Sequence, residues 1–255
     1  HIRSLLSYAF CDIFGDQQTA YLDAGNFNGS SPKRRAGIQV LIDKHLNPLL
    51  TRKSQHAYLE HYKRVHGNVP LWVLVNALTF GTLSKFYDLS APQVQTAVSC
   101  EFEGINEQQL VRLLEVLADD RNRCAHGERL FSYRCATKDI PDLPMHQKLQ
   151  ISKRASFMRP SPLPPTSKSS HTPRRPAYPS PLPRWTPLHG KRDYFALVIA
   201  LRYLLPAEEF LAYKRKLNVL IQKAVQENAQ ITEKALLSLM GFPENWKKVS
   251  SYHKV

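Results

Sequence analysis

The chain has 255 residues, 43% of them apolar, enough to bury one substantial core. Its 35 Lys and Arg against 21 Asp and Glu give a formal charge of +14, which points to a polyanionic partner. No apolar run approaches a membrane span, and the four cysteines (Cys11, Cys100, Cys124, Cys135) form no CxxC pair. These features exclude a spanning protein and suit free thiols in a reducing cytoplasm.

In chain order, Ile2, Leu5, Leu6, Ala9, Phe10, Ile13 and Phe14 repeat at helical spacing, and Gly15-Asp16 ends the pattern. The opening is periodic rather than uniformly apolar, with no small-residue cleavage site after it, so it reads as a core helix and not a signal peptide. Ile38, Leu41, Ile42 and His45 begin another helix that Pro48 should end or kink. A helix over 54–66 follows. His56, His61 and His66 within it are five apart, which does not give the one-face pair of a helical zinc site. Residues 71–87 read as one helix with Trp72, Val75, Leu78, Thr79, Leu83 and Phe86 on a broad face, and Trp72 and Trp246 as core residues. Ser90 with Pro92 reads as a helix start.

Asn106 with Gln109 three residues later has the form of a capping box. Leu110, Leu113, Leu114 and Leu117 then form a stripe that runs into Arg121 and Cys124, so Arg121 should point at least partly inward. The helix ends in Arg121-Asn122-Arg123-Cys124-Ala125-His126. Arg offers a planar fork for phosphate oxygens, and His titrates nearest neutrality, so together they suit phosphodiester chemistry. Asn122, His126 and Arg129 share a stripe if the helix continues past Gly127. The same spacing also fits an ion pair at a helix end, since Asp119, Asp120 and Glu128 are close in sequence.

Between Asp142 and Asp193 there is no acidic residue but ten Lys and Arg, leaving only +4 for the rest of the chain. Ten prolines lie between Pro160 and Pro187. Such a stretch cannot sustain a helix or a central strand, and 152–187 reads as a basic, extended or disordered insertion. It is either an RNA-holding arm or an insertion without a role. The global charge is therefore weaker evidence for a polyanionic partner than its size suggests. Helices resume over 194–205 and from Pro206 or Ala207, and Thr232–Met240 closes at Gly241. No run alternates long enough for a sheet, so the fold class is all-α, a helical bundle of 1–151 and 188–255 interrupted by the insertion.

Arg121-Asn-Arg-Cys-Ala-His126-Gly-Glu-Arg129-Leu-Phe-Ser-Tyr-Arg134 resembles the signature of the Abi-like (AbiD/AbiF) abortive-infection family of bacteria, placed in the HEPN superfamily. Pro70-Leu-Trp-Val73 with Thr79-Phe-Gly-Thr-Leu-Ser84, and Met240-Gly-Phe-Pro-Glu-Asn-Trp246, are similar to other stretches of that family. The resemblance implies a HEPN-like helical bundle and a metal-independent endoribonuclease toxin of anti-phage defence, needing no cofactor and acting in the cytoplasm. It implies Arg121, Asn122 and His126 as catalytic residues, with Arg123, Arg129 and Arg134 contacting RNA. One motif per chain implies a homodimer with a composite site. The alternative is a non-catalytic RNA-binding or regulatory module of a toxin–antitoxin or defence complex, with an RNA or protein antitoxin as partner. The family usually has further sequence before the position of His1. Either the sequence is truncated or this member is short, and a missing helix would expose part of the Ile2–Phe14 face.

Overall fold

Residues 1–53, 55–151 and 189–250 are described by the computed structural model, and all regular structure among them is helical. The insertion expected over 152–187 lies outside the described residues. Helix α1 (Ile2–Phe14) ends at Gly15, whose φ of +89° stops the helix where the sequence places its end. Leu6, Ala9 and Phe10 are buried on α1, so the apolar face of Ile2–Phe14 is largely covered, with Ile13 38% exposed at its far end. After α2 (Gln18–Leu22), Ser31 caps α3 (Pro32–Val40) by accepting from the Arg34 amide.

The helix through Ile38 starts at Pro32 and does not stop at Pro48. It widens first into a π turn over Leu41–Leu46 and re-forms as α4 (Asn47–Thr51) with Pro48 in its first turn. Pro48 has no amide hydrogen to donate and is accommodated where a helix needs none. Helix α5 is Ala57–His66. The single helix expected over 71–87 is two helices, α6 (Leu71–Leu74) and α7 (Phe80–Leu89). Asn76 turns its side chain back onto the Trp72 carbonyl at 2.9 Å, and Thr79 caps α7 by accepting from the Thr82 amide at 3.1 Å. The short α6 turns Leu71, Val73 and Leu74 into the core. Trp72 is therefore 45% exposed instead of a core residue, while Trp246 is buried as expected. Ser90 does not cap α8 (Pro92–Ser99). It is buried, and its hydroxyl donates to the Phe86 carbonyl.

Helix α9 (Glu107–Ala125) starts at the capping box, with Gln109 N to Asn106 Oδ1 at 2.9 Å and the Asn106 amide to Gln109 Oε1 at 3.0 Å. It packs against α7, α8 and a later helix, α11 (Tyr194–Leu204), reached through the short α10 (Pro144–Lys148). Helix α12 (Ala207–Glu227) and α13 (Glu233–Met240) follow. Two aromatic clusters mark the core. Phe10, Phe27 and Phe86 meet with ring centres 5.3–5.7 Å apart, and Phe242 joins Phe195 (4.7 Å) to Trp246 (5.1 Å). Long α9, buried on one face from Leu110 to Asp120, carries the sequence motif out of this core. All four cysteines are free, and no helix among the described residues is long and apolar enough to cross a membrane.

Candidate active site at the end of α9

The last buried positions of α9 are Val116, Ala118 and Asp120. Asp120, not Arg121, takes the inward place after Leu113 and Val116, so the expectation of an inward Arg121 is corrected. Leu117, which seemed to lead to Arg121, is only half-buried, and the next residue on the buried side follows Leu113 by seven and Val116 by four. Arg121 is exposed, and its Nη1 lies 3.4 Å from Asn122 Oδ1.

The helix stops at Ala125, with His126 as its cap and Gly127 at φ +69°. The Gly127 amide donates to the Cys124 carbonyl (3.2 Å) and the Glu128 amide to the Arg123 carbonyl (3.0 Å), the paired bonds of a Schellman closure. Glycine is required for that left-handed step. Because the helix ends here, Arg129 leaves the stripe it would share with Asn122 and His126 in a continuing helix. Asn122, His126 and Arg129 are all exposed. Asn122 and His126 remain one turn apart, joined by the His126 amide donating to the Asn122 carbonyl at 3.0 Å. The structure thus brings Arg121 onto Asn122 and sets His126 one turn further on, at the C-terminal cap of α9.

Arg123 is placed differently from the role the resemblance implies. Its guanidinium lies 3.3 Å over the centre of the Tyr133 ring, pairs with Glu128, and has Nε 3.7 Å from Asp119. Tyr133 in turn donates to Asp119 at 2.9 Å. Burial and the bond to Asp119 hold the Tyr133 phenol well above its usual range. This cluster fastens the segment after the motif back onto α9. Arg134 faces Asp193 at 3.5 Å.

Behind the motif lie groups that the pattern of residues 106–134 did not reveal. Burial, helped by neighbouring Asp119, raises the Asp120 carboxyl to about 6. The Tyr194 and Tyr213 hydroxyls meet at 3.1 Å from α11 and α12, both pushed upward by burial, with Asp120 near both. Asp193 accepts from the Gly190 amide (2.9 and 3.0 Å) and from the Ala196 amide (3.1 Å), and burial raises it to about 7. His146 Nε2 reaches the Gly190 carbonyl at 2.8 Å, and burial lowers its pKa. Only long-range packing joins these pieces, so the local spacing around Arg121 carried no signal of them.

Chemically, the exposed set is a phosphate fork, an amide and an imidazole on an open helix end. Among the described residues no group of three or more His, Cys, Asp or Glu is arranged to hold a metal ion. The family model described as Abi-like protein matches residues 1–132, just over half of the chain, and takes in Arg121, Asn122, His126 and Arg129. Met240–Trp246 lies beyond that match. No curated protein and no solved structure matches the chain.

Proposed function

The chain belongs to the Abi-like protein family, and from that premise we propose that it is a HEPN-type endoribonuclease acting in abortive infection. The observation that carries this reading is the exposed Arg121–Asn122–His126 set at the end of α9, inside the matched region. In the proposed reaction the RNA 2′-hydroxyl attacks the adjacent phosphorus and the 5′-oxygen leaves. His126 moves a proton as base or acid. Arg121 neutralises charge on the non-bridging oxygens, the electrostatic help on which such a step depends most. Asn122, in contact with Arg121, orients the guanidinium or bonds the phosphate. Arg129 is free to meet RNA, whereas Arg123 serves first to hold Tyr133 and Glu128, and Arg134 to face Asp193.

The set is exposed on the surface, outside the clefts lined by His45, Thr79 and Thr82. Active sites are ordinarily concave. A second copy of the chain, placing its own Arg121 and His126 opposite, would supply the missing wall and a second acid–base group.

Product chemistry tests the reading. Cleavage by 2′-hydroxyl attack leaves a 2′,3′-cyclic phosphate and a 5′-hydroxyl, and a 2′-deoxy nucleotide at the cut position blocks it. Products ending in 5′-phosphate, or undiminished cutting at the deoxy position, would contradict the mechanism.

A further inference from the structure

On the face formed by α4, the π turn and the start of α7, two clefts of about 390 and 460 Å³ share His45, Thr79 and Thr82 and so form one continuous groove. Its cations are Lys44, Arg52 and Lys53 in one cleft and Lys85 in the other, all exposed, and among the described residues no carboxylate lines either cleft. The acidic groups on the surrounding elements have partners of their own, the groove's Lys85 being one of them. Asp43 accepts from the Gln39 amide at 2.8 Å, Asp88 pairs with Arg34 and Lys85, and Glu60 pairs with Lys63. Arg3 adds a further cation at the rim, its guanidinium bonded to the Leu78 carbonyl at 2.9 Å. The floor offers the Thr79 and Thr82 hydroxyls, 2.9 Å apart.

We propose that this groove holds the phosphates of a single RNA strand. The identity of the polyanion rests on the ribonuclease reading, while the preference for a polyanion rests on the groove itself. Cations without facing carboxylates give a one-signed potential that low-dielectric walls concentrate. The groove is open to solvent, so it fits a passing backbone better than an enclosed small anion, as in other single-strand binders. The Leu41–Leu46 π turn forms part of its wall, and such turns occur often at functional sites. None of its lining residues belongs to the Arg121–Asn122–His126 set, so the groove is assigned to affinity and not to the chemical step.

The test uses the full chain and a fluorescent 20-nucleotide RNA fully 2′-O-methylated, which blocks the attacking oxygen and separates binding from cleavage. Binding is measured by anisotropy over a salt series for wild type, Lys44→Ala/Arg52→Ala/Lys53→Ala, and a control triple of equal charge change on α12, Arg215→Ala/Lys216→Ala/Lys223→Ala. Circular dichroism confirms that both triples are folded. The groove triple is expected to lose roughly tenfold or more in affinity, and its log–log salt slope to fall by about two, three phosphates at about 0.7 each. The control should keep most of the affinity. Equal losses in both triples, no loss in the groove triple, or no binding by wild type would each overturn the proposal. Binding that depends on the groove in a protein that cuts no RNA would leave the groove standing and remove the ribonuclease reading. Cleavage with groove-independent binding would do the reverse.

Discussion

Arg121 and Arg123 are two residues apart and should respond oppositely to truncation. Arg121 is exposed and touches only its neighbour Asn122, so Arg121→Ala is expected to leave the melting temperature nearly unchanged while removing RNA cleavage. Arg123 holds Tyr133, Glu128 and Asp119 together, so Arg123→Ala should lower the melting temperature measurably, because the segment after α9 loses its fastening. Thermal melts of the two variants side by side check this, and equal melts would contradict the assignment of roles. Asp120 gives a pH prediction. Its carboxyl is raised to about 6 in the folded chain from 3.8, so the folded chain holds the proton more tightly. That contribution is fully present below pH 3.8 and is lost as pH rises through 6. Asp120→Asn should flatten this fall and, since the group is not wholly enclosed, be about 1–2 kcal/mol more stable than wild type at pH 8. Urea titrations from pH 4 to 8 measure it, and parallel curves for the two proteins would refute it. Arg121 and His126 were legible as chemistry because their side-chain types and spacing are local. Which of Asp120 and Arg121 faces inward was not. The Leu110–Leu117 stripe is flanked by further buried positions, so the apolar pattern alone did not fix its centre.

At the scale of elements, helix ends were legible where a cap residue marks them, as at Gly15, Asn106 and Gly241. They were not legible where side chains act on the backbone from nearby, as Asn76 does in separating α6 from α7. The two tryptophans divide along that line. Trp246, in contact with Phe242 and fully buried, should cost about 3–5 kcal/mol on truncation to alanine, whereas Trp72→Ala should cost far less because nearly half of it already meets solvent. Denaturant unfolding of both variants decides, and a Trp72→Ala loss as large as that of Trp246→Ala would show that α6 is misplaced. The cap of α13 makes a sharper case. Gly241 has φ +82°, and a Cβ there would fall 2.2 Å from the Asp193 carboxyl carbon. Asp193 cannot yield without releasing the Gly190 and Ala196 amides. Gly241→Ala should therefore destabilise by about 3 kcal/mol or more, from backbone strain and overpacking together. A variant as stable as wild type would mean that the Asp193 contacts are not formed as described.

For the whole molecule, an all-α fold followed from helical periodicity and the lack of alternating runs, and every regular element among the described residues is a helix. What sequence could not supply is the joining of distant pieces. Lys44, Arg52 and Lys53 come together with the start of α7 across the groove, and Asp193 closes on Gly241 and Arg134. Net charge was a poor guide to the groove, since ten of the positive charges lie between Asp142 and Asp193. A composite site requires assembly, so light scattering at micromolar concentration should report about twice 29.2 kDa. A monomer that cuts RNA at full rate would refute the two-copy site. The most direct test of the central claim is RNA cleavage in excess chelator by wild type and by His126→Ala, purified identically and matched for melting temperature. The account predicts that wild type cuts and His126→Ala does not; equal cleavage by both proteins would contradict it.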